Sequence, residues 1–235
     1  MIRNKVRENE KTVLYVDEIP SGAHFHVASG ETLKINIACF VNDLDGKIDV
    51  DVDENGNFEG ALADFSNRNG KFIINVNLNG RGATCNWHLA SLTGGDSKKV
   101  FETSVFHEDA ETFALMSNYG IARDSGKLTF TGTSHIKQGS KKTNTRQEAK
   151  IIVFDDTSDG KALPILKIDE NDVSASHAAI VGRLNEQHLF YLESRGISEE
   201  DAKRIISLGY LKPIEEYFSD EETLRIIDRA IEGGI

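Results

Sequence analysis

The sequence predicts a mainly β chain closed by a short helical segment, and among β architectures it leans towards a solenoid. Three observations carry this. Apolar and polar residues alternate over short runs from Lys11 to about Gly182, as half-buried strands require. The runs are punctuated by Asp45-Gly46, Asn55-Gly56, Asn69-Gly70, Asn79-Gly80, Asp124 to Gly126 and Asp159-Gly160, residues suited to turning the chain. From Asn185 the apolar spacing becomes helical. No helical pattern of about 10–15 residues separates the strands, which argues against a sheet with crossover helices.

Taken in order, His24 and His26 lie two apart and share a strand face, an incomplete metal set. Leu33, Ile35, Ile37 and Cys39 form an apolar face in which Cys39 is a small buried hydrophobe. Asp49, Asp51 and Asp53 alternate with Val50 and Val52, a strand with one charged face. A calcium loop would need Gly and Glu where Glu54 and Gly60 stand. Phe72, Ile74, Val76 and Leu78 follow, then Cys85 and His88, whose spacing of three puts them on opposite faces. Leu128, Phe130 and Gly132 continue the pattern, and so do Ile151 and Val153. The early Asn-Gly and Asp-Gly pairs suit hairpins. The later strands, over 127–180, are joined by polar stretches too long for tight turns, such as Ile136 to Gln147. Long uneven loops between short strands suit a solenoid, whose turns tolerate insertions at their corners. Sandwich and barrel stay open on these grounds.

Asn185 is placed to cap a first helix running through Arg195, stopped by Gly196. Ser198 caps a second with an acidic first turn and a stripe of Ala202, Ile205 and Ile206, ended by Gly209. Ser219 with Glu222 reads as a capping box for a third, lined by Leu224, Ile227, Ala230 and Ile231. The expected division is a β core over 1–182 and a helical domain over 183–235. The helical stripes must bury against the β region, each other or a partner.

Composition narrows the function. The 235 residues carry a net charge of −11, against a nucleic-acid partner, which wants a basic footprint. No apolar run approaches the about 18 residues of a membrane helix. Met1 to Lys5 lead into charge rather than a secretory signal, so the cytoplasm is expected. Two cysteines make no disulfide framework.

The segment from Pro164 to Gly182, with Val173-Ser174-Ala175-Ser176-His177-Ala178-Ala179-Ile180-Val181-Gly182 at its end, resembles the SufB/SufD core motif. That motif runs from a proline through an apolar strand and an acidic turn to V-x-C/A-x-H-x-A-x-x-G. Leu189-Phe190-Tyr191-Leu192, then Ser194-Arg195-Gly196-Ile197-Ser198, is similar to the helix that follows it, and Ala202 with Gly209-Tyr210-Leu211 fits its continuation. Lys127 to Gly132 and Gln147 to Phe154 resemble preceding turns. The similarity covers about residues 120–218.

The resemblance implies a right-handed parallel β-helix followed by a small helical domain. It also implies a non-enzymatic scaffold for iron–sulfur cluster assembly, working with the ATPase SufC. This chain has no G-x-x-x-x-G-K-S/T of its own. Where family members often carry Cys, here stands Ala175, which leaves His177 as the ligand candidate of the block and favours the SufD-like branch. Ser176 reads as a strand-end or turn hydroxyl, since no adjacent acid and no nucleophile elbow accompany it. The expected partners are a SufC-like ATPase and either a SufB-like paralogue or a second copy of the chain. The cluster is expected to be transient, with none stably bound to the isolated chain. The helices from Asn185 to Ile231 are the expected ATPase docking surface, with Leu189, Phe190, Tyr191, Arg195 and Tyr210 as contacts. The competing classes are a purely structural β-helix and a polysaccharide enzyme; the second would want paired carboxylates and a secretory signal.

Overall fold

The computed structural model describes residues 2–7 and 9–233, the side chains of Val6, Arg7 and Glu186 excepted. One sheet runs β1 (Ile2–Arg7), β2 (Glu10–Val16), β4 (Thr32–Cys39), β6 (Asn57–Asp64), β8 (Thr84–Thr93), β10 (Phe113–Ala122), β12 (Thr143–Val153) and β14 (Val173–Arg183). The other runs β3 (Ser21–Val27), β5 (Gly46–Val52), β7 (Gly70–Leu78), β9 (Lys98–His107), β11 (Lys127–Ile136) and β13 (Asp159–Ile168). From β2 onward the chain alternates between the sheets, and every pairing except β1 with β2 is parallel. The architecture is a parallel β-solenoid.

Two expectations need correction. The four early Asn-Gly and Asp-Gly pairs are not hairpins; each turns the corner from one sheet to the other. Such corners stack closely: a Cβ on Gly80 would lie 2.1 Å from the backbone nitrogen of Glu54 in the turn below. Nor is Ile136 to Gln147 a long loop. Thr143, Thr145 and Gln147 belong to β12 and point inward, so the link spans only residues 137–142.

The lumen changes character along its axis. In the early turns it is dry, filled by Ile35, Ile37, Ile48, Val50, Phe58, Leu62, Phe72, Ile74 and Trp87, with Phe72 stacked on Trp87. Each such side chain contributes about 1.5–3 kcal/mol of burial. Towards the last turns Thr103, Thr112, Asn118, Ser134, Thr143, Thr145 and Gln147 take the inward positions, all buried. One buried charge pair clips two successive turns together. Lys99 Nζ donates to Asp64 Oδ2 at 2.6 Å and to the carbonyl oxygens of Leu92 and Ser66. Asp64 also accepts from the hydroxyls of Ser66 and Ser91.

Three α-helices follow, α1 (Glu186–Glu193), α2 (Glu199–Leu211) and α3 (Glu221–Gly233), with a 3-10 helix at Lys212–Tyr217. Asn185 caps α1 and Ser198 caps α2, as expected. Gly209 does not end α2, which continues to Leu211 before Pro213 tightens it. Asp220, not Ser219, caps α3, accepting from the backbone N–H and the hydroxyl of Thr223. Ile205 faces solvent, while Leu211, Ile214, Phe218, Ile227 and Ile231 bury against the outer face of the larger sheet. That face is flat there because Ala38, Ala63 and Ala90 fall in one register row, flanked by Leu14, Ala61, Phe65, Leu92 and Ile121. Asn36 Nδ2 donates to the carbonyl of Tyr217 and Arg3 pairs with Asp220 and Glu222, fastening the layer. Among the described residues no helix is long and apolar enough to cross a membrane.

Candidate functional site

β14 lies in register on β12, so Val173, Ala175, His177, Ala179 and Val181 stack over Thr143, Thr145, Gln147, Ala149 and Ile151 on the lumen side. His177 therefore occupies the inward column directly over Gln147, whereas Ser176 points outward and is exposed. Across the lumen β13 continues the inward column of β11 with Ala162, Pro164, Leu166 and Ile168. β13 and β14 are the last strands of their sheets, and among the described residues no strand pairs with their far edges. The lumen side of this last turn is consequently uncovered. Ile168 is 43% and Val181 45% exposed, and on the outer faces beside them Leu163 is 51% and Ile180 55% exposed. His177 stands exposed in this apolar end.

Beneath it Gln147 is locked. Its Nε2 donates to Ser134 Oγ at 2.9 Å and to the carbonyl oxygen of Ile165 at 3.0 Å, while Ser134 Oγ and Thr145 Oγ1 lie 2.9 Å apart. Its Oε1 is buried without a partner. The sequence concealed Gln147 because β12 begins Thr-Asn-Thr-Arg-Gln, polar on both faces, so alternation carries no signal there.

Thiols are remote from this end. Cys39 and Cys85 are fully buried in β4 and β8, and burial pushes both up to about 12. Cys85 faces the lumen and His88 the outer face, as their spacing requires. His24 and His26 hydrogen-bond Asp51 and Asp53 on an exposed face. Among the described residues no group of three or more His, Cys, Asp or Glu could hold a metal ion. A cluster at His177 would need further ligands from another chain or a carrier.

The helical candidates divide. Phe190 and Tyr191 are exposed on α1, with the Arg195 guanidinium 5.2 Å from the Tyr191 ring centroid, while Leu189 is half-buried. Tyr210 is not with them. It lies edge-on to Tyr119 in a cavity of about 410 Å³ between the sheet and the helices, where burial pushes its hydroxyl above the usual range. His88 shares that cavity, stacked on Tyr217 at 3.9 Å, and burial lowers it to about 4.

Residues 22–210 match the family described as SUF system FeS cluster assembly, SufBD core domain. An iron-sulfur cluster assembly protein SufD of Bacillus subtilis is 35% identical over 139 residues, 59% of this chain and 32% of that protein. SufBD family proteins of Staphylococcus saprophyticus and Staphylococcus haemolyticus are 28% and 27% identical over 77% and 78% of the chain, and 40% of their own length. The chain thus spans about two-fifths or less of these relatives. With the solenoid, the motif around His177 and the match across most of its length, the chain belongs to the SufB/SufD family of iron–sulfur cluster assembly proteins and is SufD-like.

Proposed function

We propose that the chain is a non-catalytic scaffold subunit on which an iron–sulfur cluster is assembled at the open end of the solenoid, with His177 as its ligand. The observation that carries this is the exposed apolar end around His177, framed by two unpaired strand edges. Unpaired edges are templates for another chain's strands, and apolar end residues gain from being covered. The occupant is a second SufB/SufD-type subunit, a paralogue or another copy. It supplies the ligands that this chain lacks, so that the isolated chain holds no stable cluster. A SufC-like ATPase docks on the helical domain, over 183–235, through Phe190, Tyr191 and Arg195. Exposed aromatics beside an arginine are the residue types that dominate interfaces. Tyr210 is left to pack against the sheet.

Two substitutions separate these roles. His177→Ala should leave the complex intact, by native mass spectrometry, and reduce iron and sulfide incorporation during anaerobic reconstitution. Phe190→Ala with Tyr191→Ala should release the ATPase and leave the solenoid's circular dichroism unchanged. Normal cluster yield with His177→Ala would remove the ligand assignment, and undiminished ATPase retention by the double variant would remove the docking assignment.

A further inference from the structure

We propose that Gln147 is a positioning residue for His177: its Oε1 accepts an imidazole N–H and turns the other ring nitrogen's lone pair towards iron at the open end. The inference rests on the reading of His177 as a ligand. It begins from an unmet hydrogen bond. A buried carboxamide oxygen without a donor is costly, and each such group in a folded protein calls for an explanation. Here the amide orientation is not arbitrary. The carbonyl of Ile165 can only accept, so the nitrogen of Gln147 must face it, and the oxygen must point elsewhere. Two hydrogen bonds from that nitrogen hold the side chain across the lumen.

The free oxygen is also given room. A Cβ on Gly132 would stand 2.8 Å from it, so the glycine of β11 leaves open the space that Oε1 occupies. Neighbouring strands run about 4.8 Å apart, and the residue one strand above Gln147 on the same face is His177. In the proposed contact the ring N–H of this stacked histidine is the donor to Oε1. An imidazole ligates metal through one nitrogen, and the proton on the other fixes tautomer and ring orientation when it has an acceptor. The polar lumen of the last turns, unlike the dry early ones, thereby acquires a use: Ser134 and Thr145 brace Gln147, and Gln147 braces the histidine.

The test is a nitrogen-15 correlation spectrum of the full chain labelled in histidine, alone and with its partner bound, at a pH where imidazole is neutral. His177 is identified by its loss in His177→Ala. The wild-type ring should show one tautomer. Gln147→Leu, similar in size without the acceptor, should return it to the averaged shifts of free imidazole, and Gln147→Glu should restore a single tautomer. Thr143→Val, which breaks the hydroxyl pair with Thr112 in the same lumen away from Gln147 and its supports, should leave the tautomer as in wild type and so controls for loosened packing. Cluster assembly with Gln147→Leu should fall about tenfold, the lower end of what loss of a ligand's supporting hydrogen bond costs. If Gln147→Leu moves the tautomer in neither state, the positioning role is wrong whatever happens to assembly. If it moves the tautomer while His177→Ala assembles clusters normally, the hydrogen bond stands and the ligand role of His177 falls.

Discussion

His177 announced itself through its motif, but the residues that set its surroundings did not, because their significance lies in which atoms are left without partners. Two buried polar residues carry predictions of their own. His107 is buried with Nδ1 2.8 Å from Thr112 Oγ1 and Nε2 unpartnered, and burial lowers it to about 4. Because the folded value lies below the unfolded one, the unfolded chain takes up the proton first as pH drops. The contribution is whole above about pH 6.5 and is lost as pH falls through 4, a loss of about 3 kcal/mol. His107→Gln should flatten the fall in urea midpoint across that window; an unchanged slope would rule out His107 as its source. Lys99 makes the second case. Lys99→Met leaves Asp64 buried and uncompensated and should cost roughly 3–5 kcal/mol in chemical denaturation. The double substitution Lys99→Met with Asp64→Leu should recover most of it, and an additive double variant would show that the pair is not coupled.

Strands with one wet face were legible from alternation, and the helix starts at Asn185 and Ser198 from their caps. β12 was not, since its first half is polar on both faces and reads as a loop. The repeat itself was hidden by growth. Glu10 stacks under Thr32, Thr32 under Asn57, Asn57 under Thr84, Thr84 under Phe113 and Phe113 under Asn144, steps of 22, 25, 27, 29 and 31 residues. The next step, Asn144 under Ser174, is 30 residues, and a period that drifts in this way leaves no fixed spacing to find. The helical stripes were seen, but their destination was left open, and most of it is the alanine row of the larger sheet. Ile227 is fully buried there, so Ile227→Ala should cost about 2–5 kcal/mol. Truncation after Gly209 removes Leu211, Ile214, Phe218, Ile227 and Ile231 together and should yield aggregate rather than a free solenoid in size-exclusion chromatography. A monodisperse truncated protein would mean that the sheet does not need its cover.

At the scale of the molecule, the motif implied a β-helix, and its open end only becomes visible once the strands are stacked. If that end is a joint, its apolar residues should set the association constant. Val181→Asp places a charge on the lumen side of the last turn and should weaken association by at least tenfold in sedimentation velocity, with folding unchanged; equal affinity would move the joint elsewhere. The growth of the turns has one more consequence. The solenoid tapers, from a seven-residue strand at β2 to eleven residues at β12 and β14. The narrow end is closed on one sheet by the antiparallel β1, and on the other it begins with the irregular, histidine-bearing β3. A cylinder of constant width could stack head to tail without limit, since each end would fit the next copy's other end. A cone cannot: its broad mouth matches another broad mouth and mismatches the narrow tip. If the open end is a joint, the taper fits a pair that meets broad mouth to broad mouth better than a head-to-tail stack.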